Sequence, residues 1–183
     1  MSYAEVGEFM GKLAQNSGMG ATALRFLTLT AGRTGEVMGA KWAEIDLARK
    51  VWTVPAERMK AGREHRVPLS GPALTILDGL QEVATGELMF PGAKPGRPIS
   101  NRTMTAALEA AGGAHFTVHG MRSAFRDWVH EETAFAATWQ RRRSPISVVM
   151  KPSGLIGAVT HLRSAASSWR PGRATAPPHR QTR

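Results

Sequence analysis

The sequence predicts a mainly α-helical domain with one small antiparallel β-sheet, an α+β chain. Three observations predict it. Apolar residues recur at helical spacing along most of residues 4–133. VWTVP at 51–55 is β-branched and aromatic, as a strand should be, and HRVPL at 65–69 follows it as a second strand across a polar turn. Finally, 183 residues, 42% of them apolar, are enough for one ordinary core.

The elements follow in order. Over residues 4–16, Val6, Phe9, Met10 and Leu13 fall on one helical face. NSGMG breaks the pattern, and ATALRFLTLTA (21–31) is apolar enough all round for a buried helix. GRTGE follows, then VMGAKW resumes in helical style. Trp42, Ile45 and Leu47 lead into a turn at ARK. VWTVP and HRVPL then pair as a hairpin, and the proline of the second assigns it to an edge. Ser70 is the expected N-cap of a helix over GPALTILDGLQEVA, and Ser100 of another over 101–111. Between them, LMFPGAKPGRPIS is a proline- and glycine-bearing loop. The last periodic segment, 118–133, repeats Val118, Met121, Phe125 and Trp128.

Beyond residue 135 the pattern ends. Residues 136–183 hold six serines, five prolines and nine Lys/Arg, with no Asp or Glu, the composition of a disordered basic tail. The net charge of +10 suggests a nucleic-acid partner. Without the tail, fifteen Lys/Arg face fourteen Asp/Glu. The first 135 residues can therefore engage DNA only through local placement of charge.

Other classes find no support. There is no cysteine, hence no disulfide framework and no thiolate metal site, and the six histidines lack ligand-like spacing. G-x-S-x-G, G-x-G-x-x-G and the phosphate-binding G-x-x-x-x-G-K-[ST] are absent. No apolar run is long enough to span a membrane and the N-terminus lacks the marks of a signal peptide, so a cytoplasmic protein is expected.

Four cationic residues stand out in the patterned region. Arg33 lies at a junction between helical stretches (AGRTGE), Lys60 in the hairpin turn (ERMKAGREHRVPL), and His119 and Arg122 three apart on one helix. Taken singly, each is accounted for by a solvated surface group or a structural histidine.

Taken in order, they carry more. TLTAGRTGEVMGAKWAEIDLARKVWTVPAERMKAGREHRVPLS and FTVHGMRSAFRDW resemble the catalytic domain of phage-type integrases, the tyrosine recombinases, from about residue 3 to about residue 135. That family cuts and rejoins DNA without metal or other cofactor, through a 3′-phosphotyrosyl link. The resemblance implies the tyrosine-recombinase catalytic fold. It makes Arg33 and Arg122 a clamp on the phosphate oxygens, Lys60 the general acid for the leaving 5′ oxygen, and His119 the proton-handling partner. Arginine suits the clamp because its planar fork matches phosphate oxygens. Glu36, one helical turn after Arg33, would orient that arginine or its neighbours. Arg63, His65 and Arg66 are candidates for contact with the DNA backbone, and a solvated hairpin accounts for them equally well. Double-stranded DNA and other integrase subunits are the implied partners.

The sequence departs from the family at its C-terminal end. The nucleophilic tyrosine should follow the H-x-x-R helix, yet the one tyrosine is Tyr3, at the opposite end. No nucleophile is assigned. Trp139 and His161 are candidates by type for the family's last phosphate ligand, and neither has the expected surroundings. An out-of-frame ending accounts for this. One legal coding of TWQRRRSPI (138–146), read from its third base, gives Val-Ala-Glu-Ala-Ala-Leu-Ala-His, like the family's own segment. Suitable codons for SVVMKPSGLIG continue it to Ala-Tyr-Arg. Isoleucine codons begin AT, so in that frame Ile146 and Ile156 yield only Tyr, His, Asn or Asp. They lie ten apart, as the family's histidine and tyrosine would. The expected organisation is thus an incomplete catalytic domain over 1–135, short at its start and lacking its C-terminal helices, followed by a tail over 136–183. On this reading the core is partly exposed and the domain marginally stable.

Three functions remain open. The first is a recombinase catalytic domain by descent, unable to cleave because no covalent intermediate forms without the tyrosine. The second is a non-catalytic DNA-binding module that uses the clamp and the basic tail. The third is an enzyme whose tyrosine is Tyr3 or comes from another subunit.

Overall fold

The computed structural model describes residues 2–59 and 62–132. The expectations for the tail, the out-of-frame ending and the missing C-terminal helices lie outside those residues, as does Lys60.

The first helix, α1 (Tyr3–Ala14), starts at Ser2, whose main-chain N–H donates to the Glu5 carboxylate at 2.8 Å. It buries Phe9, Met10 and Leu13, as the spacing predicts. The second helix, α2 (Met19–Thr30), is the centre of the fold. It packs against α1, against the short α3 (Thr34–Met38), and against α4 (Gly71–Gln81), α5 (Asn101–Ala110) and α6 (Val118–Glu132). A helix covered on so many sides must be apolar all round, and ATALRFLTLT is. Phe26 meets Trp52 and Phe90 with ring centroids 5.4 and 5.6 Å apart.

The α2–α5 crossing is close because Gly20 lies against the Thr103 main chain. A Cβ on Gly20 would stand 2.5 Å from the Thr103 carbonyl oxygen. Gly20→Ala is expected to cost about 1–3 kcal/mol through forced separation of the two helices. A lowered midpoint in urea, followed by circular dichroism, checks this.

The sheet has three strands rather than the two of a simple hairpin: β1 (Ile45–Asp46), β2 (Val51–Val54) and β3 (His65–Pro68), all antiparallel, in the order β1-β2-β3. The first strand is two residues long, too short to show alternation. It turns into β2 where the Asp46 carboxylate accepts from the Arg49 N–H at 2.8 Å and Lys50 takes a left-handed φ of 55°. In β2, Trp52 and Val54 point inward and are fully buried. Pro68 does lie on an edge strand.

Ser100 caps α5 as expected, its hydroxyl accepting from the Thr103 N–H at 3.1 Å. Ser70 stands at the N-cap of α4, but its buried hydroxyl makes no cap bond and finds no partner among the described residues. The α4 N-terminus instead relies on Pro72 in its first turn, where a missing N–H costs nothing.

Candidate phosphate-binding site

The site begins at the end of α2. Ala31 takes a left-handed φ of 49°, and Gly32 donates to the Leu27 carbonyl at 3.2 Å, stopping the helix. The chain turns sharply toward Arg33, which stands at the N-cap of α3. Gly32 fits closely at this corner: a Cβ there would crowd Val37 at 3.0 Å and the Trp52 ring at 3.3 Å, so these side chains would have to give way. The corner just before Arg33 therefore lies against Trp52, on the inner face of β2.

Glu36 is buried, with 6% of its side chain exposed. Its carboxylate accepts from the Arg33 N–H at 3.0 Å and from the Arg33 guanidinium at 2.5 Å. Its first contact satisfies an otherwise open donor at the start of α3, and its second fixes the direction of the arginine. Arg33 remains 44% exposed beyond this pairing, so it keeps guanidinium surface for a ligand.

Arg122 approaches the same corner from α6. Thr117 caps that helix, its hydroxyl accepting from the Gly120 N–H at 3.0 Å. Met121 and Ala124 bury the helix against the core. Arg122, half-buried, donates from Nε to the Ala31 carbonyl at 2.8 Å. His119 lies one turn earlier on α6 and is exposed.

The hairpin closes a third side. On β3, His65 is half-buried and pairs across the ladder with the fully buried Val54, while Arg66 faces outward. Burial pushes the His65 imidazole below the ordinary histidine pKa; Glu36 opposes this, and the positive charges of Arg33 and Arg122 add to it. These groups lie near enough for their charges to act on one another. Arg63 is exposed, and Arg66 pairs on the surface with Glu64 at 2.8 Å. The structure thus brings together Arg33, Glu36, Arg122 and His65, turns Arg66 to the outer face of β3, and leaves Arg63 exposed before that strand.

Two supporting residues escaped the sequence reading. Arg58, two residues before Lys60, donates to the Glu44 carboxylate and to the Glu36 carbonyl. The other oxygen of Glu44 accepts from the Trp52 indole N–H at 2.9 Å. Arg58 also lies across Gly39, where a Cβ would stand 3.2 Å from its Nη2. This network ties the entry of the lysine turn to the end of α3. The only sequence signal was two opposite charges fourteen residues apart.

Among the described residues, no three His, Cys, Asp or Glu side chains converge as a metal site requires. No described helix is long and apolar enough to cross a membrane.

The pattern described as "Phage integrase family" matches residues 2–140. The chain belongs to that family. The chain is 42% identical over 107 residues to prophage integrase IntA of Escherichia coli K12, covering 57% of this chain and 26% of that protein. It is 36% identical over 138 residues to prophage integrase IntZ of the same strain, covering 74% and 33%. It therefore spans about a quarter to a third of the length of these integrases. The fold is shared with a lambda integrase dimer bound to a COC′ core site (TM-score 0.56, 21% identity, 81% of this chain and 61% of that one). It is also shared with the XerH site-specific recombinase bound to its difH substrate (TM-score 0.60, 15% identity, 94% and 54%). The helix-dominated fold with a small antiparallel sheet is that of the tyrosine recombinase catalytic domain.

Proposed function

We propose that this integrase-family chain engages the backbone of double-stranded DNA as the catalytic domain of a site-specific recombinase does, without itself forming the covalent link. The observation that carries this reading is the hydrogen bond from Arg122 to the Ala31 carbonyl, two residues before Arg33. It brings two arginines, 89 residues apart in sequence, to one corner of the fold. A phosphodiester carries its charge on two non-bridging oxygens, and two forked cations from different elements suit it. Glu36 holds one fork in place before the ligand arrives, so little ordering remains to be done on binding.

Lys60 as general acid and His119 as proton-handling partner complete the proposed site by family resemblance. The integrase and recombinase named above in complex with DNA support duplex DNA as ligand. The dimeric lambda integrase supports further integrase subunits as partners. The non-cleaving part of the proposal rests on the sequence, whose one tyrosine is Tyr3.

The test uses a nicked DNA duplex that traps covalent intermediates, incubated with the chain alone. The expected result is a complex that dissociates in denaturant, with no protein–DNA adduct. An adduct mapped to Tyr3 would restore the chain as an enzyme. Failure to bind duplex DNA at low salt would remove the DNA reading altogether.

A further inference from the structure

We infer that His65 is a third arm of the phosphate clamp, one that takes up a proton when a DNA phosphate lies between it, Arg33 and Arg122. This deepens the DNA-engaging reading above and rests on it.

β3 alternates, so His65 and Val67 share the inner face while Arg66 and Pro68 take the outer one. Val67 lies opposite Trp52, and His65 opposite Val54. The Trp52 ring reaches the Gly32 corner. The inner face of the hairpin therefore runs from the α2–α3 junction toward the lysine turn, with His65 on it. Arg63 and Arg66, its basic neighbours, are exposed, and Arg66 is engaged with Glu64. Among the described residues of β3, His65 is the titratable side chain on that inner face.

The charges around it come from three elements. Arg33 and Glu36 belong to α3, and Arg122 to α6. The hairpin's own Glu64 and Arg66 pair on the opposite face. His119 lies a turn before Arg122. Glu36 is already committed to Arg33. An imidazolium at this place therefore meets two cations and a carboxylate already in use, and burial adds to the cost. Neutral imidazole is the resting form at pH 7.

A phosphodiester reverses the balance. Its negative charge offsets the two arginines, and its oxygens accept from a protonated ring. Binding must then raise the imidazole pKa, and by linkage acidification must strengthen binding. Fold stability moves the other way. The folded pKa of His65 is depressed, so its contribution is present above the ordinary histidine pKa of about 6.5 and declines as pH falls below it.

The experiment measures the affinity of the full chain for a short fluorescent DNA duplex between about pH 8 and about pH 5, at fixed ionic strength. Affinity is expected to rise on acidification by about tenfold for each unit by which DNA raises the imidazole pKa. His65→Gln, which keeps a donor but cannot gain charge, is expected to flatten that rise. His115→Gln, on an exposed loop residue stacked on Phe116, is expected to leave it intact. Isotope-edited NMR of the histidine rings in the unaltered protein gives a readout independent of any variant. The His65 ring is expected to shift from neutral to imidazolium on adding the duplex at pH 7. Equal pH dependence in the unaltered and His65→Gln proteins, or a His65 ring that stays neutral with DNA bound, overturns the inference. If charge-removing changes at Arg33 and Arg122 still weaken binding in that case, the clamp survives and only the role of His65 is lost. If they do not, the DNA-engaging reading fails with it.

Discussion

Arg58→Met is expected to destabilise the domain by about 3–5 kcal/mol, the largest single-residue effect outside the apolar core. The reason is the partner it leaves behind. Glu44 is 8% exposed and has two acceptor oxygens, one held by the Trp52 indole and the other by Arg58. Removing the guanidinium strands a carboxylate with one neutral donor in a poorly hydrated place. It also removes the donor to the Glu36 carbonyl, which lies near the C-terminal end of α3 where a cation is favoured. Two companion changes separate the causes. Glu44→Gln in the same background neutralises the stranded charge and is expected to restore much of the loss. Arg58→Lys keeps the charge but cannot span both acceptors, so an intermediate cost is expected. Urea titrations of the three proteins check the order. An Arg58→Met protein as stable as the parent would show that the network contributes nothing net.

That network also marks the limit of what the sequence could disclose. α1, α2 and α5 were legible because a helix that buries one face repeats its apolar residues, and one buried on all sides is apolar throughout. The two longer strands were legible from composition. β1 was not, because two residues carry no period, and its pairing depends on β2 being beside it. The cap at Ser70 was assigned from residue type, but a hydroxyl caps only if its rotamer and the chain direction allow, and a buried serine can fail both. Arg33, Glu36 and Arg122 were singled out by resemblance to an ordered set of motifs. Their meeting depends on a non-glycine residue, Ala31, adopting φ 49° so that its carbonyl turns toward α6, and no residue code announces that. Sequence reasoning placed His65 with Arg63 and Arg66 because all three are basic and adjacent. Strand alternation, applied one step further, separates it from Arg66.

Replacing the clamp charges gives the largest expected change in DNA binding. Arg33→Gln leaves the Arg33 main-chain N–H on Glu36, and Arg122→Gln keeps an N–H donor at the same branch position for the Ala31 carbonyl; each deletes a cation, and circular dichroism of each variant checks that it is folded before binding is measured. If each arginine displaces one counterion from DNA, the double variant should flatten the slope of log affinity against log salt by about 1.8, and each single variant by about 0.9. At low salt the affinity should fall about tenfold or more per arginine. The competing reading assigns binding to the tail, whose arginine triplet is Arg141, Arg142 and Arg143. Replacing those three with glutamine should change the slope by about 2.7 if they are bound to phosphate, and leave it unchanged if they are not. The two sets of variants make opposite predictions for the same plot. A phosphate held by a preorganised pair must respond to the loss of either member, whereas a diffuse basic tail responds to total charge and is indifferent to which residue carries it.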